Sequence, residues 1–225
     1  MNTLEQRVAK LRKQVHRVEI DLPLLRAEIA SGDTAASHFI DRLRIAIDNA
    51  TGVALLADAR LSAPVLAVAR SLLESLITTH WASLSDSNSN EIQTVARFES
   101  IRLTRNMLTK GRGALINKID GRDETQRILN HPWTKVAKRP PKIDRMAKES
   151  GLEKLYDLIW GVISLLAHGN DTTSLAQQSG LLPASVEAVR TILASIHLIV
   201  HNRVREHRPT VANEIEAILN VTTFR

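Results

Sequence analysis

Cysteine is absent from the 225 residues, which rules out disulfides and thiolate metal sites. The opening stretch, MNTLEQRVAKLRKQ, lacks the apolar core of a signal peptide. The best membrane-span candidate, Ser62 to Leu84, is interrupted by Arg70 and Glu74. We therefore expect a cytoplasmic protein with no membrane segment. No glycine-punctuated alternating strand, phosphate loop, serine elbow or dinucleotide fingerprint occurs, and no bound cofactor is expected. His197 and His201 stand four apart, a spacing that can hold a metal. No third ligand is set beside them by the sequence, so no metal site is expected either.

Basic excess is local. The chain carries a net charge of +6, yet Ile101 to Lys148 alone holds 13 basic and four acidic residues, leaving −3 for the remainder. A basic segment attracts phosphate backbones by releasing counterions. Its candidate contacts are Arg105, Lys110, Arg112, Lys135, Lys138, Arg139 and Lys142. Only Phe98 and Trp133 lie in or near it, so stacking of single-stranded bases is poorly served.

Helical periodicity dominates. Leu4, Val8, Leu11, Val15, Val18, Leu22 and Leu25 recur at alternating spacings of four and three, a coiled-coil seam flanked by Glu5, Arg7, Lys10, Arg12 and Lys13. Its partner is either a second copy or the chain's own domain, and Pro23 is expected to end or kink it. After the SGDT turn at Ser31 to Thr34, Phe39, Leu43, Ile47, Ala50 and Ala54 mark a second helix. Ser62 is expected to cap a third, on which Leu66, Ala69, Leu72, Leu73, Leu76 and Ile77 form an apolar arc. His80 lies in that arc and reads as a satisfied core histidine. SDSNSN is a polar connection, followed by a helix from about Glu91 to Lys110.

Residues 111–141 are rich in loop signals around one short helix near Glu124 to Leu129. Short helices follow at Ile143 to Glu149 and from Leu152 to His168. Pro183 opens a last long helix, with Val186, Val189, Leu193, Ile196 and Val200 inward. The expected fold is an all-α bundle with a long N-terminal coiled-coil-like helix. Residues 1–30 form an arm suited to dimerisation, and 31–225 a single helical domain.

Two helices carry polar groups beside their apolar faces. AVARSLLESLITTHW presents Arg70 and Glu74, and YDLIWGVISLLAHGN presents Tyr156, Ser164 and His168. Such groups are costly to bury unless paired, so the two strips are expected to face one another. The pair resembles a bacterial family of uncharacterised all-helical proteins with an Arg-x3-Glu helix and a Tyr, Ser-x3-His helix. That likeness spans roughly Ala35 to Asn170 and marks Arg70, Glu74, Ser164 and His168, with Tyr156 beside them.

More distantly, the layout is similar to HEPN proteins, helical dimers that include RNases and components of toxin and phage-defence systems. Their signature is an Arg, four to six residues, then a His. Arg190 and His197 have that spacing, although Thr191 stands where Asn, Asp or His commonly follows the Arg. The resemblance implies a homodimer that cleaves RNA without metal. A neutral histidine would remove a 2′-hydroxyl proton while an arginine clamps the phosphate. The alternative is an interaction protein in which Arg70, Glu74, Ser164 and His168 form a buried hydrogen-bond network that sets helix register.

Overall fold

The computed structural model describes residues 3–30, 33–111, 113–130, 141–157 and 180–220. Their elements are α1 (Leu4–Ala27), α2 (Thr34–Asp58), α3 (Ser62–Ser83), α4 (Asp86–Thr109), α5 (Thr125–Asn130), α6 (Ile143–Glu149), α7 (Leu181–Arg205) and α8 (Ala212–Asn220). A further helical turn begins at Glu153. The class is all-α, and the only β pairing among the described residues is an isolated bridge between Ile116 and Asp123.

Local chemistry sets the helix starts. The Thr3 hydroxyl accepts the Gln6 backbone N–H, and the Gln6 side chain accepts the Thr3 backbone N–H, a reciprocal capping box before α1. Asp33 caps α2 by accepting the Ala36 N–H at 2.8 Å. Ser62 is a first-turn residue of α3, whose cap position is Leu61 with no side-chain bond. The polar run SDSNSN is helical from Asp86 onward. Ser85 accepts the Asn88 N–H, Asp86 sits at the positive helix end, and Asn88 donates to the Trp81 carbonyl at 2.9 Å.

Pro23 does not end α1, which continues to Ala27. The reason lies in the core. Leu25, beyond the proline, is fully buried, and burying one leucine gains roughly 2 kcal/mol, comparable with the roughly 3 kcal/mol that an interior proline costs. Val8, Leu11, Val15, Val18 and Leu25 are all buried against α2 and α7, within one continuous core. The seam thus finds its partner inside its own chain, and α1 shares the domain's core.

Charge pairs fix helix directions. Glu5 with Arg60, Arg12 with Asp58, and Arg26 with Asp41 make α1 and α2 antiparallel. Arg7 with the Pro183 carbonyl and Asp21 with His197 share an offset of 176, and Glu28 with Arg205 an offset of 177. That constant register makes α1 and α7 parallel. The inward face of α7, including Val186, Val189, Leu193, Ile196 and Val200, is fully buried against α1, α2 and α3. By length and composition α7, rather than α3, meets the criteria for a membrane span, with 56% of that window buried inside the protein.

The end of α2 holds one strained residue. Arg60 has φ +57°, its N–H bonds the Ala57 carbonyl, and the Leu61 N–H bonds the Leu56 carbonyl. This is a Schellman termination, whose left-handed position favours glycine. Arg60→Gly should relieve about 1 kcal/mol of backbone strain and lose only an exposed ion pair with Glu5. A higher urea midpoint for the variant is the expected result, and an unchanged or lower midpoint would refute this account.

Candidate functional site

Arg70 and Glu74 lie one turn apart on α3, with Arg70 Nε 3.4 Å from Glu74 Oε1. Both are part-exposed, so the pair is worth well under 1 kcal/mol. Tyr156 joins their surroundings. Burial pushes its hydroxyl pKa up, Asp144, Glu74 and Asp157 add to this, and Arg70 opposes it. Two distant segments therefore converge on Arg70, Glu74 and Tyr156. Ser164 and His168 lie outside the described residues. Nearby, Trp81 donates to Glu149 Oε2 at 2.6 Å and Arg145 donates to Glu149 Oε1 at 2.7 Å, tying α3 to α6. Those two bonds hold the Glu149 carboxyl below its ordinary pKa, with Arg145 the larger cause.

The second constellation lies along α7. Arg190 donates to Glu187 Oε1 at 2.9 Å on its own helix. His197 Nε2 lies 2.6 Å from Asp21 Oδ2 on α1, and Asp21 also receives Arg205, which in turn pairs with Glu28 at 2.9 Å. Arg190 and His197 are therefore bonded to different carboxylates. Two helical turns separate them, roughly 10 Å along the axis. Burial lowers the His197 pKa; Asp21 counteracts this, and His201 and Arg17 add to the lowering. One ring nitrogen is engaged by Asp21.

Neither Asp21 nor Arg17 stands out from spacing alone. Their signal is the second stripe on α1: Lys10, Gln14, Arg17, Asp21 and Glu28 recur beside the apolar seam. A groove of about 440 Å³ opens between the two helices, lined by Lys10, Lys13, Gln14, His16, Arg17, Ile20 and Arg190.

Of the candidate phosphate contacts in the basic segment, Arg105, Lys110 and Lys142 are exposed. Arg112, Lys135, Lys138 and Arg139 lie outside the described residues. Other cations of that segment are neutralised locally, Arg122 by Asp120 and Arg127 by Glu124. Among the described residues no group of three His, Cys, Asp or Glu is placed to hold a metal.

His80 is a core residue, but among the described residues it is not satisfied. It is fully buried and neither ring nitrogen has a partner among the described residues, so burial drives its pKa down to about 4. The sequence pattern correctly places His80 in the core. Hydrogen-bond satisfaction depends on neighbouring helices, which helical periodicity does not specify.

Comparison with known proteins places the sequence in a family. The sequence model of a family of unknown function (DUF5677) matches residues 42–177. The chain belongs to that family. No curated protein and no solved structure matches. The family span contains Arg70, Glu74, Tyr156, Ser164 and His168. It excludes α1 and α7, so the Asp21–His197 pair and the adjoining groove are built from the flanks of the family region.

The buried imidazole has a measurable consequence. The folded pKa of His80 is about 4 against 6.5 for an unperturbed histidine, so below pH 6.5 the unfolded chain binds more protons. Stability is complete above that pH and falls as pH drops toward 4, by about 2 kcal/mol at pH 5 from this group alone. Urea unfolding of wild type and His80→Leu at pH 7 and pH 5 should give a smaller acid loss in the variant. Equal losses would show that His80 is not the responsible group.

Proposed function

We propose that this protein is a HEPN-like ribonuclease of the RNA-processing or defence type, acting in the cytoplasm as a homodimer and without metal. The supporting observation is the half-buried contact between Asp21 and His197 beside a groove lined by Lys10, Lys13, Arg17 and Arg190. A carboxylate on one ring nitrogen fixes the tautomer and leaves the other nitrogen as a base. That base takes the 2′-hydroxyl proton, and the oxygen attacks the adjacent phosphorus. The 5′-oxygen then departs, taking the proton back from the imidazolium and leaving a 2′,3′-cyclic phosphate. Arg17 is the nearer phosphate clamp. Arg190 has five N–H donors, of which Glu187 engages those on Nε and Nη2, and it serves the next phosphate along. With the α1 seam closed inside the chain, the dimer would use another face.

A second reading has its own support. Asp21, His197, Arg205 and Glu28 form one connected set joining α1 to α7, as expected of a non-catalytic interaction protein whose polar groups set helix register.

Incubation with total RNA, with and without chelator, separates the two. Chelator-resistant cleavage ending in cyclic phosphate is expected, falling about 100-fold or more in His197→Gln, which keeps a hydrogen-bond donor for Asp21 but no base. Intact RNA after incubation with well-folded protein would favour the interaction reading. Cleavage that survives in His197→Gln but is lost in His168→Ala would move the site to the Arg70 group.

A further inference from the structure

The α1–α7 register divides the seam into two electrostatically different halves. Toward the C-terminal ends, the cations of α7 meet acids of α1: His197 meets Asp21, and Arg205 meets both Asp21 and Glu28. Toward the N-terminal ends the match fails. Arg190 is served by Glu187 on its own helix, and Lys10, Lys13 and Arg17 on α1 have no carboxylate partner among the described residues. Several arginines of the bundle are met by acids, as in Arg12 with Asp58, Arg203 with Asp86 and Arg208 with Glu214. The unmatched cations share the groove of about 440 Å³.

We infer that this groove binds a nucleic-acid phosphodiester backbone laid along the two helices. This goes beyond the cleavage reading, because a groove can hold a strand without cutting it. Lys10 to Arg17 spans about 10 Å of helix, enough to meet two successive phosphates. Arg190 contributes from the opposite wall, and Ile20, 57% exposed at the end of the groove, offers an apolar contact to a sugar or base. A row of α1 cations with Arg190 beside it suits a flexible chain of charges better than a planar bilayer, which calls for a broad apolar face. The exposed Arg105, Lys110 and Lys142 of the basic segment are not among the residues that line the groove.

The test uses the full chain and a fluorescein-labelled, uncleavable 2′-O-methyl RNA oligonucleotide, followed by anisotropy between about 50 and 200 mM salt. Three to four phosphate contacts predict a slope of log affinity on log salt of roughly −2 to −3. Combining Lys10→Gln, Lys13→Gln and Arg17→Gln should weaken binding at least about ten-fold and flatten the slope by roughly 2. These residues are exposed, so circular dichroism should show the variant folded. Combining Lys135→Gln, Lys138→Gln and Arg139→Gln should leave the affinity within about two-fold. The reverse pattern, or retention on phosphatidylserine vesicles without oligonucleotide binding, overturns the inference. Binding of the uncleavable strand while natural RNA stays intact would end the cleavage reading and leave the groove standing. RNA cleavage undiminished in the groove variant would do the opposite.

Discussion

Burial of α7 is the constraint on which the rest depends. Its inward stripe is covered on three sides by α1, α2 and α3, so none of those helices can shift without exposing it. α1 answers with five fully or nearly buried aliphatic side chains along its length. A parallel pair in fixed register follows, and the register decides which polar residues at the edge of the apolar contact become neighbours. Asp21 meets His197 because Val15, Val18 and Leu25 hold α1 in place.

This ordering of causes explains which features could be read from the sequence. Apolar periodicity specifies an element from residues inside that element alone, so the α3 arc and the α7 stripe were legible, and α6 was legible to its end residues. Pro23 lies within α1 instead of ending it because a residue beyond it, Leu25, is held by other helices. SDSNSN looked like a connection because Ser and Asn compete with helix backbones in general. Here the Ser85 hydroxyl and the Asn88 amide satisfy helix ends instead. Contacts between helices were the least legible. The offset of 176 residues between Asp21 and His197 leaves no trace in spacing, and Arg190 and His197 share a helical face without sharing a partner.

The two candidate sites differ in kind. Arg70, Glu74 and Tyr156 lie within the family span, and they are brought together by α3 and the helical turn at Glu153, both inside that span. An i, i+4 ion pair with partial exposure can form on an isolated helix, so by itself it says little about function. The Asp21–His197 contact requires the whole bundle. It also places a titratable ring where burial and a carboxylate act in opposite directions, with burial the stronger. The result is an imidazole oriented by a carboxylate and held below its ordinary pKa.

Charge partition along the α1–α7 seam then bears on function in a way that net charge does not. A pair of helices stabilised only for packing would gain from matching cations to acids along its entire length, as its C-terminal half does. In the N-terminal half three cations on α1, Lys10, Lys13 and Arg17, line the groove with no carboxylate partner among the described residues. Clustering like charges raises the free energy of the unliganded protein, and a bound polyanion relieves that cost by releasing its own counterions. The same imbalance that weakens the seam at rest therefore favours an anionic chain in the groove. His197 stands at the boundary between the two halves, close enough to Arg17 to feel its charge. A phosphate held by Arg17 would bring the adjoining ribose toward the imidazole, so retention of the strand and proton transfer would use neighbouring residues of one seam.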